Sequence, residues 1–321
     1  MTTKQKTFEV KATDEGLHLQ DTILWFDSPS CPDMSFLSSA TPPLPLENPG
    51  RKTRWIATDD TVALAKAMGR DYNALRCQYH RPFSVGSLRL EMIPSGGGLG
   101  CSSLYVEHKG KSLLYAPMLQ SNRSPLSRQI ELRRAETLIL CAHDPLSDST
   151  PPHRDKVLLD IVQHIQKHIQ NDFWPTIFCA PSPMAQNLTR SLTDHGIPVV
   201  VPPAIAKIHK LYTNCGVALG NYATLSNKRN KLRPGVHIQP LRLPRSHAYN
   251  PSTIQVQNQS GDVQEFHYPL WAQINDLQTV IEQVKPAQTF ILGPYARSYA
   301  ASLKSTHKIS PLFKNNEPTL F

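Results

Sequence analysis

The histidines are the residues whose spacing in this chain comes closest to that of a metal site. There are 13 among 321 residues, and His164 and His168 lie four positions apart in the segment HIQKH. On a helix this spacing puts both imidazoles on one face, where they can share one metal ion. No glutamate follows His164, so the HExxH pattern of zinc proteases is absent. Because Ile161, Ile165 and Ile169 define the apolar side, a solvated helix face is the simpler interpretation.

A second candidate is the pair His143-Asp144, which follows the apolar run TLILCA at 137–142. Functional residues of α/β proteins often lie at the carboxyl ends of buried strands. This position fits a pocket residue, and it equally fits an aspartate that caps a loop. Serine-histidine catalysis is not supported, because the chain has no G-x-S-x-G elbow. The run SGGGLG at 95–100 lacks the lysine of a phosphate-binding loop and indicates a tight turn.

The cysteines do not form a zinc or redox motif. No two of them lie within four residues of each other, which excludes zinc-ribbon and CxxC spacings. Most lie among apolar or small residues, which favours buried free thiols in a reducing cytoplasm. The six residues are Cys31, Cys77, Cys101, Cys141, Cys179 and Cys215.

Positive charge is concentrated in one stretch of the chain. The formal net charge is +9, and no acidic residue occurs between Asp194 and Asp262. Basic residues interleaved with amides and tyrosines are typical of phosphate-contacting surfaces, so this stretch predicts nucleic-acid binding. A solvated basic face or a surface for an acidic protein would have the same composition. The eight basic residues are Lys207, Lys210, Lys228, Arg229, Lys231, Arg233, Arg242 and Arg245.

Composition and hydrophobic pattern predict an α/β fold. Hydrophobic residues make up 40% of the chain, enough for a buried core, and no apolar run reaches the 18 residues of a membrane span. The polar N-terminus does not have the pattern of a secretory signal, which favours the cytoplasm. Strand patterns dominate the first half and strand–helix alternation follows. The predicted strands are 17–19, 22–27, 54–57, 87–93, 102–108, 112–116, 137–142, 176–180, 197–201 and 289–292. The predicted helices are 61–68, 155–170, 183–195, 204–215, 275–284 and 295–305.

Several of these segments, taken in order, resemble a known family. They are SGGGLGCS at 95–102, the hairpin YVEHKG at 105–110, FCA at 178–180 with AQNL at 185–188, and the strand at 288–293. The chain is similar to the metallo-β-lactamase-fold nucleases that carry a β-CASP insertion, especially the bacterial ligase-associated DNA exonucleases. The resemblance implies an αββα sandwich formed by residues 1–147 and 236–321. It places a smaller α/β insert at 148–235.

The metal motifs of that family are missing from this chain. The family binds two metal ions through H-x-H-x-D-H, S-G-H, G-D, S-D-H-A-D and V-T-H-G segments. Glycine, proline and leucine side chains have no ligand atom, so the resemblance predicts a degenerate site without metal or cofactor. The positions that the resemblance assigns to this former site are Cys31, Asp33, Gly97, Pro117, Leu270 and Gly293.

The resemblance and the missing motifs together predict a catalytically degenerate homologue of a DNA exonuclease. Such a protein would bind nucleic acid, DNA in preference to RNA, or would scaffold a repair complex with an ATP-dependent ligase, a helicase or an active nuclease. The alternative is an active, divergent metal-dependent hydrolase whose single metal site is rebuilt from Asp33, His143 and their neighbours. A third interpretation is a protein–protein module that does not bind nucleic acid.

Overall fold

The computed structural model describes residues 7–42, 53–121, 124–146, 152–225, 234–241 and 252–312. The chain divides into two compact units. Unit 1 comprises residues 1–146 and 271–321, and unit 2 comprises residues 147–270. Both units combine helices with mixed sheets, which confirms the predicted α/β class.

The elements follow one another along the chain in three segments. The first contains β1 (Val10–Thr13), β2 (Gly16–Leu19), β3 (Leu24–Phe26), β4 (Met34–Phe36), β5 (Arg54–Thr58), α1 (Asp59–Ala67), β6 (Ala74–Cys77), β7 (Phe83–Val85), β8 (Leu88–Pro94), β9 (Ser102–His108), β10 (Lys111–Ala116) and β11 (Thr137–Cys141). The second contains α2 (Arg154–Ile169), β12 (Thr176–Cys179), α3 (Met184–Asp194), β13 (Val199–Val201), α4 (Pro203–Asn214), β14 (Tyr222–Thr224), β15 (Val236–Pro240), β16 (Thr253–Gln257) and β17 (Val263–His267). The third contains α5 (Ile274–Val284), β18 (Gln288–Leu292), α6 (Ala296–Ser302) and β19 (Lys308–Pro311).

Unit 1 consists of two sheets packed face to face. Sheet 1 has the order β1-β2-β3-β4-β5-β6, and sheet 2 has the order β19-β18-β11-β10-β9-β8-β7. One apolar core joins Phe26 and Phe36 of sheet 1 to Tyr115 and Ile139 of sheet 2. Because β3–β6 are parallel to one another, and so are β10, β11, β18 and β19, the carboxyl ends of these strands lie together at one edge of each sheet.

The position of strand β11 between two apolar cores explains why its sequence is continuously apolar. Ile139 and Cys141 belong to the core between the sheets. Leu138 and Leu140 lie on the opposite face, in a second core that includes residues of α5 and α6. A strand buried on both faces has no position for a polar side chain in contact with water. Its pattern therefore follows from its place in the middle of unit 1.

Helix α1 is fixed to the glycine-rich run. Thr58 caps the helix by accepting a hydrogen bond from the backbone N–H of Thr61, and Asp59 and Asp60 fill the first turn. The hydroxyls of Thr58 and Thr61 both donate to the carbonyl of Gly100, at 2.9 and 2.7 Å. The N-terminal cap of α1 thus also positions the loop that follows β8.

Unit 2 is built on one sheet with the order β14-β13-β15-β12-β16-β17. The second boundary of unit 2 lies at residue 270, whereas the resemblance implied a boundary at residue 235. The physical reason is strand pairing: β15 pairs in parallel with both β12 and β13, while β16 and β17 extend the same sheet as an antiparallel hairpin. The predicted insert 148–235 therefore corresponds to only part of this unit.

Candidate functional site

Three neighbouring parallel strands of sheet 2 end at the same level. Ala116 of β10 pairs with Leu140 of β11, and Cys141 of β11 pairs with Leu292 of β18. Pro117, His143 and Gly293 therefore follow the three strands at one edge of the sheet. Such an edge is where α/β proteins place functional residues. We call the residues gathered there the strand-end cluster; its members are Asp27, Ser38, Ser39, Gly97, Cys101, Tyr115, Pro117, Met118, Cys141, His143, Trp271 and Gly293.

A buried carboxylate forms the polar part of the strand-end cluster. Asp27 follows β3, has a left-handed backbone (φ 46°) and is fully buried. Ser38 donates its backbone N–H to Oδ1 at 2.8 Å and its hydroxyl to Oδ2 at 2.7 Å. The hydroxyl of Tyr115 also donates to Oδ2, at 2.8 Å. Both carboxylate oxygens are thus held by protein donors.

Burial dominates the electrostatics around Asp27. Loss of solvation raises the pKa of Asp27 to about 6, against the opposing hydrogen bonds from Ser38 and Tyr115. Burial likewise raises the pKa of Cys101 to about 12, although Ser39 donates a hydrogen bond to its sulfur. The pKa of Cys141 is also raised by burial, and the nearby Asp27 adds to the effect. Both thiols stay protonated at neutral pH, which makes them poor metal ligands and poor nucleophiles.

The space beside Gly97 is filled by a backbone oxygen and an aromatic ring. A β-carbon added at Gly97 would lie 2.6 Å from the carbonyl oxygen of Met118 and 3.2 Å from Cζ3 of Trp271. Trp271 is 4% exposed, and its ring packs on His143 with centroids 4.9 Å apart. Glycine is therefore required at position 97, and no side chain fits there.

His143 is oriented by the backbone of the neighbouring strand end. Its Nε2 donates to the carbonyl oxygen of Pro117 at 2.7 Å. Burial lowers the pKa of His143, so the imidazole is neutral at neutral pH. One face of the ring is covered by Trp271. The residue is thus a half-buried packing element at the end of β11.

Cys31 and Asp33 do not join the strand-end cluster. Strands β3 and β4 pair in parallel with Leu24 opposite Met34, so Asp33 lies at the amino end of β4. Leu37 follows the carboxyl end of β4 and lies level with Asp27 of the neighbouring chain segment. Along the strand direction, Leu37 is about 13 Å beyond Asp33. The segment after β4, with Ser38 and Ser39, is the one that reaches the cluster. The loop 30–35, where the resemblance put Cys31 and Asp33, thus lies at the opposite end of β4 from Ser38 and Ser39.

Leu270 also lies outside the strand-end cluster. It belongs to unit 2, where its carbonyl accepts a hydrogen bond from Nη2 of Arg154 at 2.8 Å. Arg154 is 6% exposed, donates from Nε to the carbonyl of Pro269 and stacks over the Tyr268 ring. The next residue, Trp271, is the one that packs beside Gly97. Of the six positions assigned by the resemblance, Gly97, Pro117 and Gly293 come together.

The residues of the strand-end cluster do not fit a metal ion. Asp27 is saturated by protein donors, His143 is turned to a carbonyl, and the two thiols hold their protons. A β-carbon at Gly293 would lie 2.5 Å from the carbonyl of Ala142, so this position cannot carry a ligand either. Within the described ranges, no group of three or more His, Cys, Asp or Glu side chains is placed to hold a metal. The alternative site built from Asp33 and His143 is not assembled, because Asp33 lies at the far end of β4.

Helix α4 presents the described part of the basic stretch. Ile205, Ile208 and Tyr212 form its buried face, while Lys207 and Lys210 are exposed one turn apart on the other side. These two lysines are one candidate contact for phosphates. The other six predicted contacts, Lys228, Arg229, Lys231, Arg233, Arg242 and Arg245, lie outside the described residues.

A buried histidine fixes the orientation of α4. The Nδ1 of His209 donates to the carbonyl of Ile205 at 2.9 Å, and its Nε2 accepts from the Thr189 hydroxyl at 2.8 Å. The ring packs on Tyr222 with centroids 4.6 Å apart. Burial lowers the pKa of His209, so these contacts are made by a neutral ring. One ring face of Tyr222, a tyrosine of the acid-free stretch, is thereby engaged in packing on His209.

Sequence reasoning missed Asp27, Ser38, Tyr115 and Trp271. Asp27 had a detectable signal, since a charged residue directly after the apolar run ILWF marks the end of a strand. Tyr115 lies next to the end of an apolar hairpin strand, and the sequence gives no sign that its hydroxyl meets a carboxylate. Trp271 lies 174 positions after Gly97 in the chain, so no local pattern connects them.

Comparisons with known proteins support the fold and give one named relative. No family model matches the chain. The chain is 24% identical over 213 residues to a protein of Opitutus terrae named "Probable DNA ligase"; the match covers 64% of this chain. It spans about one fifth of that relative. A solved protein of unknown function from Enterococcus faecalis V583 has a similar fold, with a TM-score of 0.54 at 12% identity, covering 88% of this chain and 80% of the other.

Among the described residues, no helix combines the length and the apolar composition that a membrane crossing requires.

Proposed function

We propose that this protein is a metal-free homologue of a metallo-β-lactamase-fold DNA exonuclease that binds nucleic acid without cleaving it. The observation that carries the proposal is the packing at Gly97, where a β-carbon would lie 2.6 Å from the carbonyl oxygen of Met118 and 3.2 Å from Cζ3 of Trp271. In the family that the sequence resembles, this region holds two metal ions that activate water and neutralise phosphate. A chain with a tryptophan and a backbone carbonyl in that space has neither function.

The architecture is consistent with this proposal. Unit 1 has two packed sheets, with α5 and α6 on the outer side of sheet 2, as expected for an αββα sandwich. Unit 2 interrupts it between residues 146 and 271, as a β-CASP insert would. The parallel strand ends bring Pro117, His143 and Gly293 to one edge, where the resemblance expects the catalytic centre.

Two observations support a nucleic acid as the partner, and the second of them favours DNA. The stretch without acidic residues contributes eight positive charges, and Lys207 and Lys210 of α4 are exposed. The relative from Opitutus terrae carries the name of a DNA ligase, and the family that the sequence resembles includes ligase-associated exonucleases. We propose that the protein contributes phosphate contacts to a repair or processing complex whose catalysis is performed by a ligase, a helicase or an active nuclease.

Equilibrium binding tests the nucleic-acid part of the proposal. Fluorescence anisotropy with labelled single-stranded DNA, double-stranded DNA and RNA of equal length should give the tightest binding to a DNA. Each phosphate neutralised by a basic residue should contribute roughly −0.7 to −0.9 to the slope of log K against log salt. Binding that is absent at low salt would leave a protein–protein module as the better interpretation.

A further inference from the structure

The histidine pair of α2 has a geometry that the proposed function does not use. His164 and His168 lie one turn apart, and their Nε2 atoms are 3.2 Å from each other. Two nitrogens that each lie about 2.05 Å from one tetrahedral ion are about 3.3 Å apart. The observed separation therefore matches two imidazoles that share one metal ion. The same distance also fits a single N–H···N hydrogen bond between neutral rings.

Aromatic packing holds both rings in this arrangement. The ring of Phe266, on strand β17, packs edge-on against His164 with centroids 5.5 Å apart. The ring of Phe173 packs edge-on against His168 at 6.1 Å. Both histidines are half-buried, so their rotamers are limited before any ion arrives. A ligand pair that is already oriented loses less side-chain entropy on binding.

We propose that His164 and His168 form a binding site for a transition-metal dication such as Zn²⁺, Ni²⁺ or Cu²⁺. Imidazole nitrogen suits these ions and does not suit Mg²⁺ or Ca²⁺, which take oxygen ligands. The protein supplies two ligands, and water occupies the other coordination positions. The site belongs to unit 2 and is independent of the strand-end cluster.

The two elements that pack around the histidine pair, α2 and β17, also carry other charged or titratable residues. Lys156 and Asp160 lie on earlier turns of the same helix, and Glu265 and His267 belong to the neighbouring strand β17. Oε1 of Glu265 already accepts a hydrogen bond from Nε2 of Gln255 at 2.6 Å.

Calorimetric titration of the full-length, tag-free protein with ZnCl₂ tests the site. Wild-type protein should bind Zn²⁺, and His164→Ala or His168→Ala should each weaken this binding. Loss of even an outer-shell partner costs 10- to 100-fold in metal affinity, so loss of a direct ligand should cost at least about tenfold. His195→Ala is the matched control, because His195 is exposed at the end of α3 and bonds only its own helix. It should bind Zn²⁺ like the wild type.

A second readout does not depend on the variants. In NMR spectra of the wild type, Zn²⁺ should shift the ring-proton resonances of His164 and His168 together, and those of His195 should stay in place. Circular dichroism of each variant checks that α2 is still folded, with His168→Gln as a more conservative replacement. Absence of Zn²⁺ binding to the wild type, or equal affinity in His164→Ala, would overturn the proposal in favour of the simple hydrogen bond.

Discussion

Cζ3 of Trp271 lies 3.2 Å from the position that a β-carbon on Gly97 would occupy. The two residues are far apart in sequence, and the contact holds Trp271 in the space beside the strand ends. The ring also packs on His143, with centroids 4.9 Å apart. This packing leaves no room for a larger side chain at position 97, which is the observation behind our proposal of a homologue without a metal centre.

Gly97→Ala should destabilise the protein strongly. The added β-carbon meets a backbone oxygen at 2.6 Å, which cannot rotate away, so we expect a loss of about 3 kcal/mol, the upper part of the range for overpacking. Gly110→Ala is the control: its β-carbon meets no atom within 4 Å, and only its left-handed backbone (φ 70°) costs about 1 kcal/mol. Urea unfolding of both variants measures the difference. Equal losses in the two variants would contradict the packing described here.

Asp27 should make the protein less stable as the pH rises from about 4 to 6. Its folded pKa of about 6 exceeds the ordinary value of 3.8, so the folded state keeps a proton that the unfolded state releases. Below the ordinary pKa, the protonated Asp27 makes its whole contribution to the free energy of unfolding. This contribution, about 3 kcal/mol in total, is lost as the pH rises through the pKa of the folded state. The difference between wild type and Asp27→Asn, measured by urea unfolding across this window, isolates the group. A difference that does not change with pH would refute the raised pKa.

Tyr115→Phe should cost about 1.5–3 kcal/mol, the range for a hydrogen bond to a charged group. The hydroxyl is the second donor to Oδ2 of Asp27, and without it the carboxylate loses an interaction that lowers its pKa. The pKa of Asp27 should therefore rise further. A double-mutant cycle with Asp27→Asn measures the coupling, which should be well above zero because the two groups are in contact. Additive losses would indicate that the hydroxyl acts elsewhere.

Reversal of charge on α4 should weaken DNA binding. The double variant Lys207→Glu, Lys210→Glu replaces two exposed cations on one helix face. If both neutralise phosphates, the slope of log K against log salt should become about 1.4–1.8 less negative. The control is Lys156→Glu, Lys167→Glu, which changes the same net charge on α2. An equal loss of affinity in both double variants would show a general charge effect without a specific contact on α4.

The elements with strong local patterns were predictable from the sequence. Strand β11, buried on both faces, and helix α1, with Thr58 as its cap, follow from local patterning and capping. The boundary at residue 270 was not predictable, because it depends on β15 joining β12 and β13, and pairing between distant strands leaves no local signal. The short strand β4 follows closely after Pro29 and Pro32, so its local sequence indicates turns and gives no strand pattern.

The candidate site was predictable only in part. Gly97, Pro117 and Gly293 were chosen for their resemblance to motif positions, and they lie near one another in the strand-end cluster. Asp33 and Cys31 were chosen because they are ligand types, yet the parallel register of β3 and β4 places them at the opposite end of the strand. Trp271 closes the site through a tertiary contact, which a single sequence does not encode in any local pattern.

The most direct test of the central claim is a degradation assay with end-labelled single- and double-stranded DNA in the presence of Mn²⁺ or Zn²⁺. It should use protein whose DNA binding has been verified in the same preparation. If the protein is a homologue without a metal centre, the DNA should be bound but remain intact. The amount of product should equal that in buffer alone, and a chelator should not change it. Metal-dependent release of nucleotides that EDTA abolishes, and that His143→Ala or Asp27→Asn removes, would contradict it.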